Sequence, residues 1–159
     1  MTKFEIRRAA PCDVDILVGL RLEMRRERET VPLTIPEDEF ALLLKKYFTQ
    51  AVNDGSFVSF IAWDGDTAAG CSGLSLMALP PSYGDLAGKR GYITNMYTRA
   101  VYRRQGIAGM LLDALKSYAI GQGCSTLELN ASAAGYGVYK KYGFSDVDNE
   151  MKLELSGMV

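Results

Sequence analysis

Phe4 and Ile6 alternate with polar neighbours, the period of a strand with one covered face. Pro11-Cys12-Asp13 then opens a helix whose apolar positions, Val14, Leu17, Leu20 and Met24, recur at helical spacing. Its other face carries Glu23, Arg25, Arg26, Glu27, Arg28 and Glu29, a pattern that by default describes a solvated surface. A second helix is predicted from Pro36, which loses no hydrogen bond at a helix start. Glu37, Asp38 and Glu39 suit the positive end of its dipole, and Phe40, Leu43, Leu44, Tyr47, Phe48 and Ala51 form its apolar face up to Gly55. Two strand-like runs, Ser56 to Trp63 and Thr67 to Leu79, flank Asp64-Gly65-Asp66 and predict a hairpin.

Pro80 to Arg90 is rich in Pro, Gly and charge and is expected to be a loop. Gly91 to Thr98 reads as a strand, Arg99 to Gln105 as a turn, and Ile107 to Ile120 as a helix buried through Ile107, Met110, Leu111, Ala114, Leu115 and Tyr118. Gly121 and Gly123 end it. Thr126 to Asn130 predicts a short strand, Ala133 or Gly135 to Tyr142 a short helix, and Phe144 to Leu155 a closing strand or hairpin. The natural packing for this order is a mixed sheet covered by helices.

The chain of 159 residues, 48% hydrophobic and 23% charged, fits a single domain spanning residues 1–159 with a core of its own. Its net charge of -1 gives no reason to expect nucleic acid or an anionic membrane as a partner. The charged start, Met1 to Arg8, does not resemble a signal peptide, and no apolar run approaches a membrane span; a cytoplasmic location is expected. Cys12, Cys71 and Cys124 are odd in number and widely spaced, and are expected to be small buried hydrophobes, neither a disulfide framework nor a zinc site. The chain has no histidine, which removes the serine-histidine triad, the cysteine-histidine dyad and most catalytic metal sites; no metal is expected.

The sharpest chemical signal is Arg103-Arg104-Gln105-Gly106-Ile107-Ala108-Gly109, between a strand and an amphipathic helix. A helix start presents unpaired N–H groups and positive partial charge, glycine admits an anion to the backbone, and arginines add fixed charge. The helix dipole, about 0.3–1 kcal/mol and up to ~2, falls short of the about 8 kcal/mol of micromolar binding. Charge-assisted hydrogen bonds of roughly 1.5–3 kcal/mol each, with contacts further along a ligand, supply the remainder. These seven residues alone equally describe a glycine-containing turn capped by surface arginines. There is no GK[ST] for a P-loop and no GxGxxG for a dinucleotide fold.

The chain resembles the GCN5-related N-acetyltransferase superfamily. The acetyl-CoA signature [RQ]-x-x-G-x-[GA] is matched by Arg103, Gly106 and Ala108, after the strand Met96-Tyr97-Thr98 and the aromatic Tyr102; a second signature, Tyr-x-x-x-Gly-Phe on a short helix, is matched by Tyr139, Gly143 and Phe144. The two cover about a third of the chain. The resemblance implies an α/β (mixed α+β) fold, with a mostly antiparallel twisted sheet of six to seven strands flanked by about four helices. It further implies acetyl-CoA as co-substrate and direct transfer to a primary amine of a small molecule or peptide. Carried over, Met96, Tyr97 and Thr98 contact the pantetheine arm, the amides of Arg104, Gln105, Gly106, Ile107, Ala108 and Gly109 take the pyrophosphate, and Tyr139 assists the departing sulfur.

Departures point to a less-characterised branch. Ser132 and Gly135 stand where many members have Asn and Ala, so Ser132 contacts the cofactor less strongly than Asn would. Tyr92 stands where some members have a glutamate base. Glu23, Glu27, Asp85 and Glu128 remain as candidate bases, with Asn95 as a water holder. A non-catalytic acyl-CoA-binding sensor is the alternative from another class. Homodimers are frequent among similar proteins, and nothing in the residues decides this point.

Overall fold

A computed structural model describes residues 3–28, 32 and 34–155; Glu29, named above with the charged face of the first helix, lies outside them. The elements are β1 (Glu5–Arg8), α1 (Val14–Arg28), α2 (Glu37–Asp54), β2 (Phe57–Val58), β3 (Phe60–Asp64), β4 (Thr67–Ala78), β5 (Lys89–Thr98), α3 (Ile107–Gly121), β6 (Thr126–Leu129) and α4 (Tyr136–Tyr142). Among the described residues the strands form one six-stranded sheet, ordered β1-β3-β4-β5-β6 with β2 also on β4. Only the β5–β6 pair is parallel.

Helices cover both faces. Leu17, Leu20 and Met24 of α1 and Phe48 and Ala51 of α2 pack with Phe57, Cys71 and Tyr97 on one side. Ile107, Leu111, Leu112 and Leu115 of α3 pack against the other. This explains why β4 is buried without interruption from Ala68 to Leu74, where alternation would be expected of a strand with one wet face. The Asp64↔Thr67 pair closes the hairpin around Gly65, whose φ of +59° suits the turn.

The run from Ser56 to Trp63 is split at buried Ser59, whose hydroxyl donates to Ser72 O at 2.6 Å; β2 and β3 each pair with β4 on either side of the break. The apolar face of α2 is rotated from the expected one. Phe48, Ala51 and, in part, Ala41, Leu44 and Val52 face the core, while Leu43 and Tyr47 are exposed. Both stripes have helical spacing, and only packing chooses between them.

The expected strand or hairpin from Phe144 to Leu155 does not form. Met151, Leu153 and Leu155 alternate as a strand would, yet they are 99%, 83% and 75% exposed. Alternation specifies a strand only where a sheet edge lies alongside. Here Tyr136 and Lys140 hold Asp146, carrying the chain back along α4. Cysteine burial also departs from expectation. Cys71 is buried, which pushes its thiol up to about 12, and Cys124 is half-buried, but Cys12 is exposed in the short turn ahead of α1. Among the described residues no helix is long and apolar enough to cross a membrane.

Candidate active site

β5 pairs with β6 only from Arg90 to Ile93, so from Thr94 onward one edge of β5 is open. The opening begins beside a bulge. Asn95 has φ +58°, and the β4–β5 register shifts between Cys71 and Gly73. On the β4 side the backbones approach closely; a Cβ at Gly70 would come within 2.5 Å of Tyr97 O. Alternate carbonyls point to opposite edges of a strand, so Met96 O and Thr98 O face the open edge. Side chains meet them there. Arg28 Nη1 donates to Met96 O at 3.0 Å and Arg103 Nε to Thr98 O at 2.9 Å.

At one end of this edge stands the start of α3. Arg104 (φ +60°) and Gly106 (φ +83°) turn the chain sharply after the turn Ala100–Tyr102, and Met110 N closes the first helical bond of α3, to Gly106 O at 3.1 Å. The amides ahead of Met110 therefore point out of the helix end. Nothing lies within 4 Å of where a Cβ would sit on Gly106 or Gly109, so the approach to these amides is clear. Ile107 is 2% exposed and anchors the helix start in the core. Ala108 and Gly109 are half-buried, Arg104 and Gln105 exposed, and Gln105 Nε2 donates to Val101 O at 3.3 Å.

Arg103 is placed differently from the outward-facing charge the sequence suggested. Besides Thr98 O, its guanidinium donates to Glu27 Oε1 and lies 5.9 Å over the Tyr97 ring. Tyr97 in turn donates its hydroxyl to Glu27 Oε2 at 2.9 Å. The Arg103 guanidinium, then the Tyr97 hydroxyl, hold the Glu27 carboxyl below the usual range. Of the two arginines in the turn, Arg104 is the one whose side chain forms no ion pair among the described residues.

At the other side stands α4. Gly143, with φ +119°, caps it, and Phe144 N donates back to Tyr139 O at 3.0 Å. This return stacks Phe144 edge-on to Tyr139, with ring centroids 5.7 Å apart. Tyr139 is half-buried beside Leu74, Ile93, Leu112 and Leu115, and its hydroxyl makes no hydrogen bond among the described residues. Burial pushes this phenol up, and the charge of Arg28 partly opposes the shift. It is neutral at pH 7 and free to donate. Ser132 accepts from Tyr136 N (2.9 Å) through its carbonyl and from Gly135 N (3.2 Å) through its hydroxyl, so it serves the start of α4.

The candidate bases are committed elsewhere. Glu23 accepts two hydrogen bonds from Arg99, at 2.9 and 2.7 Å, and Glu27 is held as above. Arg90 bridges Asp85 at 3.3 Å and Glu128 at 3.0 Å. Asn95 differs. It is 6% exposed, its amide donates to Cys71 Sγ at 3.7 Å, and its Oδ1 is buried without a partner among the described residues. Sequence patterning could not find the Arg28, Arg103, Glu27 and Tyr97 cluster, because Glu27 lies 70 residues from Tyr97 and 76 from Arg103.

The profile of the Acetyltransferase (GNAT) family matches residues 21–144. The chain belongs to this family and is an acetyl-CoA-dependent acyltransferase. A predicted acetyltransferase from Clostridium acetobutylicum, solved with acetyl-CoA, superposes with a TM-score of 0.86 at 32% identity, covering 95% of this chain and 96% of that one. A GCN5-related N-acetyltransferase from Ralstonia eutropha gives 0.85 at 24% identity over 97% and 99%. Glucosamine-6-phosphate N-acetyltransferase from Arabidopsis thaliana shares the fold, with a TM-score of 0.66 at 18% identity over 95% and 97%. No curated protein matches the sequence.

Proposed function

We propose that this protein transfers the acetyl group of acetyl-CoA directly to a primary amine of a small molecule or peptide. One observation carries the reading. The open edge of β5 leads to the outward-facing amides of α3, and its Met96 packs against the same core cluster as the half-buried Tyr139, an arrangement suited to an extended thioester with a charged linker at one end.

The amides from Arg104 to Gly109 would take the pyrophosphate, with the exposed Arg104 adding charge, and Met96 O and Thr98 O would accept from the pantetheine amides once Arg28 and Arg103 move aside. The thioester supplies an electrophilic carbonyl carbon and a thiolate leaving group. In transfer the amine nitrogen bonds to that carbon, the carbon–sulfur bond breaks, the sulfur takes up a proton, and the nitrogen gives one up.

Tyr139 serves the sulfur side by hydrogen-bond donation. A phenol of pKa about 10 is a weaker acid than a thiol of about 8.5, and burial widens the gap. On the nitrogen side, a lysine-like amine costs about 4.6 kcal/mol to deprotonate at pH 7, from a pKa of about 10.4. The ion-paired carboxylates are poor bases for that task. The unpartnered Asn95 Oδ1 suits a water that passes the proton outward.

The test is a panel of amines incubated with acetyl-CoA, followed by thiol release and product mass. Amines gaining one acetyl group at the rate of thiol release are the expected result. Binding of acetyl-CoA with no acetylated product would instead favour a sensor.

A further inference from the structure

The last turn of α1 carries Arg25, Arg26 and Arg28, and their surroundings differ. Arg26 is paired with Glu37 at the start of α2, and Arg25 lies 5.9 Å over the Phe40 ring. Arg28 reaches across to the open edge of β5, where it donates to Met96 O and its guanidinium carbon lies 5.5 Å over the Tyr97 ring. Among the described residues Arg28 forms no ion pair; the neighbouring Glu27 is taken by Arg103 and Tyr97, and Glu23 by Arg99. Among the described residues, a guanidinium in no ion pair thus stands at the open edge of β5, near enough to Tyr139 for its field to act on that hydroxyl.

The neutral carbonyl that Arg28 now uses is one the cofactor would claim, which would release its donors toward the acceptor side. A guanidinium presents paired N–H groups whose spacing matches a carboxylate. Glu27 and Glu23 both act on the Tyr97 hydroxyl, whose ring Arg28 covers, and repel a second negative charge, favouring a monoanion over a phosphate dianion.

We propose that Arg28 selects an acceptor amine that also carries a carboxylate, an amino acid or acidic peptide, holding that carboxylate while the amine faces the thioester. The inference rests on the transferase reading above. It is tested on the full chain at saturating acetyl-CoA with matched acceptors: ω-amino acids, their primary amides, and amines bearing a phosphate at the same distance. The amine is set several bonds from the variable group so that its basicity is similar throughout.

The wild type is expected to favour the carboxylate over the amide by about tenfold or more in kcat/KM, the scale of one charge-assisted hydrogen bond. In Arg28→Gln that ratio falls to near one, in Arg28→Lys part of it remains, and in Arg28→Glu it inverts. Equal rates in the wild type, a preference that survives in Arg28→Gln, or a stronger preference for the phosphate would overturn the assignment. Acetyl-CoA binding with no transfer to any acceptor is a separate result that removes the transferase reading, and this inference with it.

Discussion

A Cβ built on Gly135 would stand 2.9 Å from Cε2 of Tyr139, so the ring occupies the space that a side chain four residues earlier on the helix would fill. Gly135 is thereby a positioning residue for the phenol. Gly135→Val is expected to swing the ring away and lower kcat by roughly tenfold to a hundredfold, the cost of a misplacement near 1 Å. Acetyl-CoA affinity should stay near wild type; calorimetry beside steady-state kinetics reads both, and an unchanged kcat would show that the ring position is immaterial.

Tyr139→Phe removes the hydroxyl and keeps the packing against Phe144. Turnover should fall by about tenfold or more with a stable fold, since a hydrogen bond to a charged group is worth roughly 1.5–3 kcal/mol. Because burial raises the phenol above its ordinary value, the wild-type advantage should persist to a pH above about 10. A rate profile losing that advantage near neutrality would assign the limb to another group.

Gly106 has φ +83°, where most side chains are strained but Asn and Asp are tolerated. Gly106→Asn and Gly106→Asp therefore share backbone strain and differ in charge. Acetyl-CoA at a hundred times its dissociation constant should stabilise the wild type by about 2.7 kcal/mol. Thermal shift should show much of this retained in Gly106→Asn and lost in Gly106→Asp. Equal retention in both would move the pyrophosphate site away from α3.

Glu27 is held low by Arg103 and Tyr97, so its contribution to stability is complete above the ordinary glutamate pKa of about 4.3 and disappears as pH falls through the depressed value. Both partners of its ion pair are more than a third exposed, which limits the effect to about 1 kcal/mol or less. The melting-temperature gap between wild type and Glu27→Gln should be steady from pH 6 to 7 and close below pH 4. A gap that widens in acid would contradict this assignment.

Much of the fold was legible because its signals are local. Gly55, Gly106 and Gly143 each have positive φ at a helix boundary, and Asp64-Gly65-Asp66 makes the hairpin turn, since left-handed backbone is demanded by neighbours in sequence. The buried stripe of α1 was readable from spacing alone. That of α2 was not, because Leu43 and Leu44 are equally apolar and only docking on Phe57 and Cys71 decides which turns inward. Met151, Leu153 and Leu155 misled for a similar reason: their alternation is real, but they stand exposed and outside every strand among the described residues.

The residues by themselves determined the order of elements as far as α4 and the family resemblance, and they singled out the glycine turn and Tyr139 as candidates. The tertiary structure decided which charges are spent. Arg103 turns back to Glu27 and Thr98, Glu23 is clasped by Arg99, and Arg28, beside Met96, forms no ion pair among the described residues. Backbone conformation answers to neighbours a few residues away, whereas ion pairing depends on what the folded sheet and helices bring within a few ångströms, and a linear pattern does not encode that distance.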